Sequence, residues 1–253
     1  MSDIYQFMNC LRDLTRPRKL VAPILLIGLA ALLAFLSRYN SPTGEYVAAD
    51  VYNNLYYNLI LRFILVILSV VFVTGVIAQE TEQKTISYLL TRPVPRWRIL
   101  LPKFIASALM TMLTVYLASF AVALIAFGPA GLGKSPLGRD LLIVPIGVLA
   151  HGALFLLAAT LLYRPLIIGL IYAFLEGVLS YLPGDWSKIS LMSYVIALSP
   201  HLNVAAADAI NTDSGPISMP VAWTVLLSVI GVCLLAALMV FSVREYVPRE
   251  DTA

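Results

Sequence analysis

The chain has little charge. Asp, Glu, Lys and Arg make up 12% of its 253 residues, where a soluble domain carries about 25%. That is too few to clothe a water-facing surface, and the mean hydropathy of +0.88 agrees. Cysteine is scarce too. Cys10 and Cys233 lie at opposite ends and show no metal-ligand spacing, so neither a disulfide framework nor a metal centre is expected. The first 15 residues hold Asp3, Asn9 and Asp13 and no apolar block, unlike a cleaved signal peptide. No internal repeat and no low-complexity tract appears.

What the chain does have is long apolar blocks, which make lipid its solvent. They fall at about 20–36, 57–78, 104–127, 141–162, 165–182 and 221–243. The expected fold is an all-α integral membrane protein with six transmembrane helices, forming one domain over 1–253. The fourth and fifth blocks are parted only by Tyr163 and Arg164, so they form a tight hairpin. Ahead of the first block, Ile4, Phe7, Met8 and Leu11 recur at i, i+3, i+4, i+7. That spacing predicts a short amphipathic helix in the interface plane, within 1–19. With the N-terminus inside, twelve of the 17 basic residues fall on the inner side and five on the outer. The positive-inside rule therefore puts both termini in the cytoplasm. Residues 183–220 form a long outer loop whose middle, Leu202 to Ile210, is apolar enough for a short helix at the outer leaflet.

Several polar residues lie within the blocks. Glu176 stands deep in the fifth, beside the small residues Gly169, Ala173, Gly177 and Ser180. Such spacing suits close helix packing, and an ionisable group at that depth faces protein or water. Glu176 is thus a candidate for the substrate pathway, with Arg62 as one possible partner; a structural hydrogen bond is the competing role. His151, beside Gly147 and Gly152, is a third pathway candidate, although packing explains a lone intramembrane histidine more often. Arg62 has the alternative of snorkelling to the outer interface. Trp97, Trp186, Trp223 and the Tyr52, Tyr56, Tyr57 group lie near block ends, as interfacial anchors do. Gly128 to Ser135 reads G-x-x-x-x-G-K-S, the literal phosphate-loop pattern. A phosphate loop joins a strand to a helix facing its nucleotide. This stretch follows a membrane span on the outer side, so it is rejected as a nucleotide site.

The charged inner stretch 79–103 is the most informative. Glu80 and Glu82 follow the second block, a short helix carries Ile86, Leu89 and Leu90 on one face, Pro93 and Pro95 stop it, and Arg96, Arg98 and Lys103 follow. Acids at its start and bases beyond its end suit the helix dipole. This stretch resembles the permease subunits of ABC-2-type ATP-binding-cassette transporters, whose pattern after the second span is A-x-E-x-E-x-G-T-L-x-x-L-L-S-x-P-x-S-R and then Lys. Ala78, Glu80, Glu82, Thr85, Leu89, Leu90, Pro93, Arg96 and Lys103 match; Lys84, Ile86, Thr91, Pro95 and Pro102 depart from it.

The resemblance implies a membrane subunit with no catalytic residues, no metal and no bound cofactor, serving a separate ABC ATPase that binds ATP and Mg. Two ATPase copies would dock beneath a permease dimer, with a homodimer favoured over a heterodimer, in a bacterial inner membrane and without nucleic acid. The helix at 82–91 would be the coupling helix, and Glu80, Glu82, Thr85, Leu89, Leu90, Pro93, Arg96 and Lys103 the coupling residues. Export is the direction implied; mechanical use of the ATPase stroke without a pore is a variant. A proton- or ion-coupled carrier centred on Glu176 is the alternative, and it leaves the charged stretch unexplained. An intramembrane enzyme built on His151 and Glu176 lacks a nucleophile arrangement or metal motif.

Overall fold

A computed structural model describes residues 2–40, 45–82, 97–179, 188–199 and 217–243. Among these the chain is helical throughout: α1 (Ser2–Leu14), α2 (Pro17–Asn40), α3 (Glu45–Leu55), a π-helical segment (Tyr56–Leu65), α4 (Val66–Glu82), α5 (Trp97–Gly131), a 3-10 turn (Leu132–Lys134), α6 (Leu137–Leu161), α7 (Pro165–Leu179), α8 (Leu191–Ala197) and α9 (Met219–Val243). Five stretches among the described residues are long and apolar enough to cross a membrane: Pro17–Tyr39, Ala48–Gly75, Trp97–Lys134, Leu137–Leu161 and Met219–Val243. Helix α7, the expected fifth span, is a shorter apolar helix of 15 residues.

Helix α6 is the hub. It packs against α9, α4, α5, α7 and α8. Side chains pointing away from the core are large and apolar, as on α7, where Ile167, Ile171, Phe174 and Leu175 are exposed. A helix in lipid has no reason to hide them, and association rests on fit, not hydrophobic burial. The inward face of α7 shows that fit: Pro165, Gly169, Ala173 and Glu176 are buried. A Cβ on Gly169 would lie 2.8 Å from Val70 Cγ1 of α4. Gly177 is not part of this tight face, because a Cβ there would meet nothing within 4 Å.

Two breaks in the helices have local causes. Gly128 takes φ +72°, kinking α5, and the next residue is Pro129, whose missing N–H leaves Ile125 O without its helical donor. Arg38 of α2 supplies one, donating to Ile125 O at 2.6 Å and also to Ala126 O. The second break is the π-helical segment, with i→i+5 winding. Five residues apart is not a neighbouring position on an α-helix, but here it brings the Arg62 guanidinium 4.1 Å from the Tyr57 ring centroid, with a hydrogen bond to the Tyr57 hydroxyl.

The N-terminal helix is present, but its buried face is shifted from the one expected. Cys10 and Leu14 are buried and Phe7 and Leu11 partly so, while Met8 is 56% exposed. This face packs on α5; the protein core, not a lipid surface alone, selects it. The long loop also differs. Residues 191–197 form a helix whose Leu191, Met192, Val195, Ile196 and Ala197 are buried, seated against α6, α9 and the π-helical segment. Leu202 to Ile210 lies outside the described residues.

Candidate functional site

Two polar clusters lie inside the bundle. The first is built on Glu176 and His151. Turning the narrow face of α7 inward carries Glu176 in with it, to 2% exposure, against the fully buried His151 of α6. His151 Nδ1 lies 2.9 Å from Gly147 O. A carbonyl only accepts, so Nδ1 carries the proton. Nε2 faces both Glu176 oxygens at 3.1 and 3.2 Å, a contact held by one proton, as an imidazolium–carboxylate pair or a neutral imidazole and a carboxylic acid. Met192 N–H donates to Glu176 Oε1 at 2.8 Å, and Ser190 Oγ–H donates to the same oxygen at 3.4 Å. Met192 lies in the first turn of α8, where backbone donors have no intrahelical partner, so the carboxyl group fills that need.

Arg62 was one possible partner for Glu176 in the sequence; the structure gives Glu176 a different one. Glu176 engages His151, not Arg62; Arg62 is stacked on Tyr57, and the winding of its own segment dictates that choice. All three pathway candidates are buried, and two of them meet.

The second cluster surrounds Asp140, which is fully buried near the start of α6. Tyr52 Oη donates to Asp140 Oδ2 at 2.8 Å, Tyr56 Oη donates to the Asp140 carbonyl at 3.0 Å, and Ser199 Oγ donates to Asp140 Oδ1 at 3.3 Å. The two tyrosine rings are stacked, with centroids 5.5 Å apart. Tyr52 and Tyr56 are therefore core residues at 0% exposure, not interfacial anchors. Sequence reasoning missed Asp140 because it stands at a block edge, where a charge looks solvated.

Other buried hydroxyls are not aimed into the bundle. Ser69, Thr74, Thr111, Thr114 and Ser119 each donate to the carbonyl four residues earlier, and Ser107 to the one three earlier. Each side chain closes onto its own helix. Glu176 and Asp140, by contrast, each join side chains or backbone from different elements.

The other sequence-derived residues fall elsewhere. Glu80 and Glu82 stand in the last turn of α4, and Thr85, Leu89, Leu90, Pro93 and Arg96 lie outside the described residues. Lys103 is not at a helix start: α5 begins at Trp97 and buries Lys103 to 8% exposure. The stretch Gly128 to Ser135 is a helix end and a single 3-10 turn, with Ser135 Oγ–H and N–H both directed to Leu132 O. Among the described residues no group of three or more His, Cys, Asp or Glu that could hold a metal ion occurs.

No curated protein matches the chain. A family model described as ABC-2 family transporter protein matches residues 16–180. That stretch runs from the start of α2 through α7 and contains Tyr52, Asp140, His151 and Glu176, together with Glu80, Glu82 and the charged stretch after them. With well over half of its length matched and five helices among the described residues fit to cross a bilayer, the chain is an integral membrane protein and belongs to the ABC-2 family of transporter permeases.

Proposed function

We propose that this chain is the membrane-spanning half of an ATP-driven exporter, and that it has no ATPase residues of its own. A separate ABC ATPase binds ATP and Mg and docks on the stretch following α4, with two ATPase copies under a permease homodimer in a bacterial inner membrane. Glu80, Glu82, Thr85, Leu89, Leu90, Pro93, Arg96 and Lys103 form the coupling surface. α1 lies along the cytoplasmic interface, α7 makes a sixth crossing, and both termini are cytoplasmic. The observation that carries this reading is the family match over 16–180, which takes in the whole charged stretch. ATPase closure shifts the spans only if the stretch makes different contacts in the two states.

The test is affinity purification of the C-terminally tagged chain from its native membrane in mild detergent. An ABC ATPase is expected in about equal amount, and Glu80→Lys with Glu82→Lys should deplete it by about tenfold, a loss of about 1.4 kcal/mol of docking. Purification without an ATPase, under conditions that keep such complexes whole, overturns the reading. The second reading, a proton-coupled carrier, would then gain ground from the buried His151–Glu176 pair and the single proton its geometry holds.

A further inference from the structure

Residues 190–199 are tied to the bundle at both ends. Ser190 and Met192 bind Glu176 of α7, and Ser199 binds Asp140 of α6. Each carboxyl group is anchored from behind, Glu176 by His151 and Asp140 by Tyr52. Between the ties the segment is closely fitted: Val195 is fully buried, and a Cβ on Gly147 would sit 3.2 Å from Val195 Cγ1.

From this arrangement we infer that segment 190–199 is a gate of the permease, latched shut by Glu176 at one end and Asp140 at the other. The two latches sit on different helices, so a shift of α7 against α6 strains both ties at once. Neither acid can lose its donors in a dry interior, because an unpartnered carboxyl group there is costly. Release therefore comes with water, which makes the gate two-state, dry and latched or wetted and open. The hydroxyls that close onto their own helices impose no such condition, since moving those helices breaks none of their bonds. That the opening serves passage rests on the permease reading; that the segment opens does not.

The test reads opening alone, in native membranes freeze–thawed so that a charged maleimide meets both faces. Cys10→Ala and Cys233→Ala remove the native thiols. Val195→Cys then reports the gate, and Ala118→Cys, fully buried in α5, reports the rest of the bundle. Glu176→Ala or Asp140→Ala should speed labelling at 195 by about tenfold or more, the effect on a local opening of leaving buried hydrogen-bond partners unmet, and leave 118 silent. Unchanged labelling at 195 in both variants overturns the gate. Equal gains at 195 and 118 also overturn it, because the acids would then hold the whole bundle. Should neither acid variant reach the membrane, Ser199→Ala carries the test: it unties one end and leaves Asp140 its tyrosine, so faster labelling at 195 alone supports the gate and no change removes it.

Discussion

His151 and Glu176 satisfy one another inside the bundle, and that makes their removal strongly non-additive. Taking away one member of a buried ionisable pair strands the other and costs about 3–5 kcal/mol. Replacing both with apolar side chains removes the charge with its partner. The Met192 N–H, which donates to Glu176, is then left unmet, at about 1–3 kcal/mol. We predict that His151→Leu destabilises the protein more than His151→Leu with Glu176→Leu. Thermal unfolding of the purified chain in mild detergent reads the order; a double variant no better than the single would show that the pair is not coupled. Glu176 and His151 were each visible in the sequence as polar residues in apolar blocks, but their pairing was not. Which turn of α7 meets which turn of α6 depends on where Gly169 lets the helices touch, and apolar periodicity does not carry that. Asp140 was invisible because a charge at a block edge looks solvated and its partners Tyr52 and Ser199 come from distant parts of the chain.

For the elements, the small residues of α7 give a sharper test than its hydropathy. Gly169 and Gly177 look alike in the sequence, as two members of one small-residue row. In the fold they differ, since a Cβ at 169 runs into Val70 and a Cβ at 177 runs into nothing. Gly169→Ala should destabilise by about 1–3 kcal/mol through overpacking. Val70→Ala should restore part of that loss by clearing the clash. Gly177→Ala should be neutral or stabilising by up to about 1 kcal/mol, the helix propensity of alanine over glycine. The same unfolding measurement checks all three, and equal effects at 169 and 177 would mean that α7 does not meet α4 at this point. The interruptions of the helices were less legible. The kink of α5 is announced by Gly128-Pro129, but the capping by Arg38 requires α2 to lie alongside. The π-helical winding of 56–65 leaves no pattern in the sequence that separates it from an ordinary apolar helix; what marks it is the Arg62–Tyr57 contact it creates. Helix α8 was missed because seven residues between turn-forming neighbours look like loop, and only burial against α6 and α9 gives them a helix's surroundings.

Across the whole molecule, the positions of the five long spans were legible because each holds a long, predominantly apolar block, and a bilayer demands little else of them. Their ends moved outward in the fold, α4 to Glu82 and α5 back to Trp97, since helices continue past the hydrocarbon where backbone bonding favours it. The number of crossings turns on α7. Its 15 residues span about 22 Å at about 1.5 Å per residue, short of the roughly 30 Å hydrocarbon core. A short helix can still cross where the bilayer thins around it or flanking residues complete the path. Parity ties the number of crossings to the faces on which the termini lie. Five crossings place the termini on opposite faces; six place them on the same face. The excess of Lys and Arg near both ends and in 79–103 favours the same face, the inner one. We predict that a fluorescent protein fused to either terminus is fluorescent, and that alkaline phosphatase, active only outside, is active when fused in the turn at 132–136. A dark, phosphatase-active C-terminus with an inner N-terminus would give five crossings and leave α7 as a helix that enters the bilayer without crossing it. Glu176 would then reach His151 from a segment that begins and ends on one side, and only the outer end of that re-entrant helix would be exposed to reagents, from that side alone.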